Sequence, residues 1–84
     1  MNNCMITFRS VTPAQRGEAV LRRVGIACTL HRTPRRMEQQ GCGYSVHLHL
    51  SQVPRAVAVL REERVSFRKV YLLKENGSME ELRL

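Results

Sequence analysis

An α+β fold class, one antiparallel sheet with two helices on one of its faces, is what this sequence of 84 residues predicts. Three observations carry it. Ala14, Gly17, Val20, Leu21 and Val24 recur at three- and four-residue spacings, as do Val53, Ala56, Val57 and Leu60, and each set marks one face of a helix. Tyr44, Val46, Leu48 and Leu50 alternate with Ser45, His47 and His49, the period of a strand with two unlike faces. Short β-branched and aromatic runs flank the helices, at residues 4–8 before the first and 67–73 after the second.

Taken in order, Cys4-Met5-Ile6-Thr7-Phe8 is the opening strand. Ser10-Val11-Thr12-Pro13 reads as a helix start, with Thr12 as N-cap and Pro13 at the first helical position. Gly25 ends that helix, because a glycine accepts the left-handed conformation that closes a helix C-terminus. Residues 26–30 form a second strand with Ile26, Cys28 and Leu30 on one side. A basic connection follows from Arg32 to Gly43, and Pro34 keeps it from prolonging the strand. Residues 44–50 are the third strand. Ser51 caps the second helix, Pro54 is tolerated in its first turn, and Glu62-Glu63-Arg64 closes it. After the fourth strand, Asn76-Gly77 signals a turn, and Ser78 with Glu81 has capping-box spacing for a short C-terminal helical turn. The order β-α-β-β-α-β with right-handed crossovers gives a ferredoxin-like two-layer sandwich, a single domain over residues 1–84. Its four-stranded antiparallel sheet carries both helices on one face and leaves the other open to a partner.

Composition narrows the function classes. Twelve arginines and two lysines against seven glutamates give a formal charge of +7, of which +5 falls in residues 1–42. Such a balance suits an anionic partner, or simply a well-solvated surface. The three cysteines fit neither a CxxC pair nor a zinc ribbon. The chain opens without the apolar run of a signal peptide, and no stretch reaches the roughly 18–20 apolar residues of a membrane span. Free thiols in a reducing cytoplasm are therefore expected, with no membrane partner.

The stretch Arg35-Arg36-Met37-Glu38-Gln39-Gln40-Gly41-Cys42-Gly43 is the most distinctive in the chain. Glycines on both sides of Cys42 let the backbone turn sharply and give a partner close approach to the sulfur. Arg35 and Arg36 could favour the thiolate, which is the nucleophilic form. The same pattern also suits a plain turn entering a strand, with Cys42 as a small hydrophobe. His47 and His49 share one strand face and are the candidates for a metal, with His31 from the neighbouring strand. The spacing fixes no third ligand, and polar residues alternating on a solvated face need none, so no metal is expected. Base stacking on the sheet is disfavoured because Trp is absent and Tyr44 and Phe67 lie near strand ends, so nucleic acid is not the expected partner. No acid–base constellation and no glycine-rich phosphate loop is present, so neither catalytic residues nor a cofactor are expected.

The chain resembles the selenium/sulfur carrier protein-like family of small bacterial domains. The resemblance runs from about Ile6 to Leu72 and rests on Thr7-Phe8 in the opening strand, the first helix, Gly25-Ile26, Pro34-Arg35, and Cys42-Gly43-Tyr44 entering the third strand. It implies a carrier rather than a catalyst, holding sulfur or selenium as a persulfide or selenylsulfide on Cys42. Arg35 or Arg36 would stand at the family's loop arginine, with Gly41 and Gly43 supporting the turn. The implied partners are proteins that donate and accept the atom. Two other readings remain beside it: a homodimerising interaction module using the open sheet face or an edge strand, and a nucleic-acid-binding module driven by arginine.

Overall fold

β1, Asn3–Phe8, is the middle strand of the sheet, and every residue from Cys4 to Phe8 is buried. In the computed structural model, which describes residues 3–33 and 43–83, it is followed by α1 (Val11–Arg23), β2 (Thr29–Thr33), β3 (Gly43–His49), one turn of 3-10 helix (Leu50–Gln52), α2 (Val53–Glu62), β4 (Val70–Leu73) and β5 (Met79–Leu82). The strands lie in the order β2-β3-β1-β4-β5, and each neighbouring pair is antiparallel. The α+β class, the single antiparallel sheet and the two helices are as expected. The sheet has five strands rather than four, and β5 takes the order beyond a simple ferredoxin-like arrangement.

The fifth strand replaces the expected C-terminal helical turn. Gly77 stands at φ +86°, its N–H donates to the Lys74 carbonyl at 3.0 Å, and the Lys74 N–H donates to the Ser78 carbonyl at 2.9 Å. The Ser78 hydroxyl and N–H both donate to Asn76 Oδ1, at 2.6 and 2.9 Å, so Ser78 completes the turn instead of capping a helix. β5 then runs back along β4, with Leu73 opposite Met79 and Val70 opposite Leu82.

Further boundaries move: β4 starts at Val70 rather than at residue 67, and the others shift for local reasons. α1 starts after Ser10, which holds the extended N-cap conformation; Thr12 and Pro13 lie inside the first turn, where a missing N–H costs nothing. β2 starts at Thr29 rather than at residue 26. The Gly25 N–H donates to the Arg22 carbonyl and the Ile26 N–H to the Leu21 carbonyl, the paired bonds that close a helix through a left-handed glycine. The Cys28 carbonyl is then taken by the Arg22 guanidinium at 2.9 Å. β3 ends at His49, whose Nδ1 accepts the Ser51 N–H at 3.1 Å, so Ser51 belongs to the 3-10 turn and Gln52 takes the N-cap position of α2. α2 closes as α1 does, with Arg64 (φ 58°) in the glycine position and Val65 donating to the Leu60 carbonyl.

Alternation sends Cys4, Ile6 and Phe8 toward the helices, where they join Val46, Leu48 and Val70 from the flanking strands and Leu21, Ala56 and Leu60 from the helices. Gly17 is the close-packing point between layers: a Cβ there would stand 2.9 Å from Phe8 Cζ and 3.4 Å from Leu60 Cδ2. The second face is not the open platform expected. Met5, Thr7 and Ser45 on it are all buried. Met5 lies in register between the partly buried His47 and Tyr71, and the Thr7 hydroxyl is tied to the Lys69 backbone by bonds of 3.1 and 3.2 Å.

Candidate functional site

The carrier residues expected from the sequence fall between β2 and β3 and at the first residue of β3. Arg35, Arg36, Gly41 and Cys42 lie outside the described residues. Gly43 lies within them: it is the first residue of β3, is buried, and pairs with Thr33, the last residue of β2. The described residues that flank this segment in the sequence, Thr33 and Gly43, thus pair with each other in the sheet. The register shows what else gathers there. Tyr44 pairs with Arg32 on one side and with Phe8, the residue before Arg9, on the other. β4 begins at this same end, after Arg68 and Lys69, and β5 finishes there, before Arg83.

The two described cysteines are placed against reactivity. Cys4 is fully buried in β1, and burial pushes its thiol above the ordinary range. Cys28 lies at the opposite end of the sheet from Gly43, just before β2, in the wall of an open cavity of about 550 Å³ that Arg22, Thr29 and His47 also line. Its thiol points inward, toward the Glu18 carbonyl at 3.8 Å, and is only 7% exposed. Burial raises its pKa, and the Arg22 guanidinium opposes that shift only in part. Cys28 is buried, as its spacing with Ile26 and Leu30 predicts, but it precedes the strand rather than lying in it.

The histidines come together differently from the expected His47–His49 pair. His47 stacks on His31 across β2 and β3, with ring centroids 4.2 Å apart and planes inclined by 37°. His31 Nε2 lies 2.9 Å from the Thr29 hydroxyl. His49 shares the face of His47 but turns its Nδ1 to Ser51. Among the described residues no group of three or more His, Cys, Asp or Glu side chains is arranged to hold a metal.

A family model described as "Putative Se/S carrier protein-like" matches residues 3–72. The chain belongs to that family. The match covers β1 through all but the last residue of β4 and stops short of β5. No curated protein and no solved structure matches the chain. No helix among the described residues is long and apolar enough to cross a membrane.

For this Se/S carrier-like protein the histidine stack sets a pH dependence. Burial, and secondarily the charge of His31, holds the His47 imidazole below its usual pKa. The unfolded chain takes up that proton near pH 6.5, whereas the folded chain waits for a lower pH. Between those two points the unfolded state binds more protons, so stability falls as pH falls through the window and is independent of this group above it. Denaturant midpoints should drop on going from about pH 7.5 to about pH 5.5. His47→Gln should flatten that drop, and an equal slope in the variant would remove His47 as its source.

Proposed function

We propose that the protein carries a sulfur or selenium atom on Cys42, as a persulfide or selenylsulfide, between a donor and an acceptor protein. Family membership is the observation that carries this reading. The burial of Cys4 and Cys28 supports it by leaving neither described thiol as a good nucleophile. In loading, the Cys42 thiolate attacks the outer sulfur of a donor persulfide. A new S–S bond forms to Cys42, the donor's S–S bond breaks, and the donor leaves as a thiolate. No external oxidant is needed, because sulfane sulfur moves without a net change of oxidation state. Unloading is the same step with the acceptor's thiolate as nucleophile. The persulfide is an anion, and Arg35 or Arg36 is the group that would stabilise it by charge-assisted hydrogen bonding. Gly41 and Gly43 would keep the approach to the sulfur clear.

The test is alkylation of each cysteine across pH, followed by incubation with a low-molecular-weight persulfide and intact-mass analysis. Cys42 should react fastest, with an apparent pKa below the free-thiol value of about 8.5, and should gain mass in sulfur-sized steps. Cys42→Ser should lose both properties, while Cys4→Ser and Cys28→Ser keep them. A Cys42 that is inert in the folded protein would end the carrier reading.

A further inference from the structure

We propose that His31 and His47 form a two-histidine binding site for a divalent transition-metal ion, Ni(II) or Cu(II) in preference to Zn(II), on the second face of the sheet. The site stands apart from the carrier reading and uses no thiol. Alternation puts His47 on this face of β3, directly across from Thr29 on β2, and puts His31 two residues further along β2 on the same face. The Thr29 hydroxyl lies 2.9 Å from His31 Nε2, so the His31 ring leans back along its strand toward the Thr29–His47 pair. The two rings therefore meet, with centroids 4.2 Å apart and planes inclined by 37°. Imidazole nitrogen suits copper, nickel and zinc, whereas hard ions such as Mg(II) take oxygen.

The surroundings fit an ion in three ways. A ligating histidine normally has a hydrogen-bonding partner on its other ring nitrogen that fixes its orientation, and the Thr29 hydroxyl is such a partner for His31. The residues in register beside the rings, Thr29 and Met5 next to His47 and Ser45 next to His31, carry no charge that would repel the ion. His31 is exposed on the edge strand, and His47 lines the open cavity of about 550 Å³ beside it, which gives an entry path and room for water on the coordination positions that two histidines leave open. Arg22, the cation in that cavity wall, is engaged by Glu18 at 3.3 Å and by the Cys28 carbonyl at 2.9 Å.

Ring spacing decides among the metals. Metal–nitrogen bonds of about 2.0–2.1 Å put two imidazole centroids roughly 4.5 Å apart when the bonds meet at a right angle, and roughly 5.2 Å apart at the tetrahedral angle. The 4.2 Å of this pair lies nearer the first, the angle found in square-planar and tetragonal Cu(II) and Ni(II) sites. Tetrahedral Zn(II) would have to spread the rings.

The test is calorimetric titration of metal-free protein with Ni(II), which does not oxidise thiols, together with chemical denaturation. One ion should bind per chain, and free Ni(II) at about one hundred times its Kd should raise the folded-to-unfolded ratio about a hundredfold. Mg(II) should have no effect. His31→Gln and His47→Gln should each weaken binding at least about tenfold, because losing even a hydrogen-bonded neighbour of a metal ligand costs about 10–100-fold. His31 is exposed, so its replacement reads the site without disturbing the core. His49→Gln should leave the affinity unchanged, since His49 turns its Nδ1 to Ser51, and so should Cys42→Ser. In the Cys42→Ser protein, where that thiol cannot compete, Zn(II) should bind more weakly than Ni(II). Absence of saturable Ni(II) binding would overturn the proposal. Binding that survives both His31→Gln and His47→Gln would do the same, as would binding abolished by Cys42→Ser, which would place the ion on the thiol. Dependence on His47 and His49 without His31 would overturn it in favour of the pair within β3. Tighter binding of Zn(II) than of Ni(II) would overturn the choice of metal.

Discussion

Replacing Phe8 with alanine should lower the stability of the fold by about 3–5 kcal/mol, a large share of what a domain of this size possesses. Phe8 is fully buried at the end of the middle strand, and its ring lies against the one helical glycine whose missing Cβ sets the distance between the layers. The two residues should therefore behave as a unit. Gly17→Ala alone combines a helix-propensity gain of about 1 kcal/mol with an overpacking cost of about 1–3 kcal/mol, since the new methyl would meet Phe8 Cζ at 2.9 Å. The ring is enclosed and has little room to swing, so the net effect should be a loss. In a Phe8→Leu background the ring tip is gone and the same Gly17→Ala change should become neutral or stabilising. Chemical denaturation of the four proteins of this cycle reads the coupling directly. Equal effects of Gly17→Ala in both backgrounds would show that the glycine is not there for the ring.

The parts of this fold visible in the sequence are those where a long period met a strong stop. The apolar stripe of α1 and its end at Gly25 could be read from spacing, whereas its start falls after Ser10 and not after Thr12. β3 was equally plain, because Tyr44, Val46 and Leu48 go to the helix layer while Ser45, His47 and His49 go to the other face. The start of β2 was hidden because residues 26–28 are apolar enough for a strand, yet the capping of α1 consumes the Ile26 N–H and Arg22 takes the Cys28 carbonyl. The N-cap of α2 was hidden because His49 reaches forward to Ser51 through its own ring, a bond that spacing rules for Ser do not contain.

The site was legible in a different sense. Gly-Cys-Gly and the paired arginines stood out as sequence, and the core place of Cys28 follows from its spacing with Ile26 and Leu30; the burial of Cys4, near the start of the sequence, comes from β1 being the central strand. The row that Arg9, Arg68, Lys69 and Arg83 form across the Gly43 end of the sheet could not be anticipated. These residues are scattered over 75 positions of the chain and converge only through the order in which the strands pair. The stacking of His31 on His47 has the same origin, because it depends on the β2–β3 register and not on the His47-x-His49 spacing.

Ending the chain after Lys74, which removes β5, should destabilise the body of the fold by about 2–4 kcal/mol without abolishing it. The sequence 78–81 has the capping-box pattern, and Met79 and Leu82 stand three apart, which suits one face of a helix. A single helical turn at a chain end has almost no stability of its own, whereas a strand adds to a sheet edge that already exists. The pairing also puts both apolar residues to use. Met79 faces Leu73 on the second face, and Leu82 packs against the core beyond Val70. Without β5, the Leu82 contacts and the β4–β5 ladder are lost, and β4 becomes the edge, with its unpaired N–H and C=O groups open to another chain. The shortened protein should therefore show a lower denaturant midpoint and should self-associate at concentrations where the full chain does not, both readable by denaturation and size-exclusion chromatography. The match of the family to residues 3–72 predicts that the shortened chain still folds. An unchanged midpoint would mean that β5 merely lies along the sheet. Complete unfolding would mean that in this member of the family the hairpin has become part of the core.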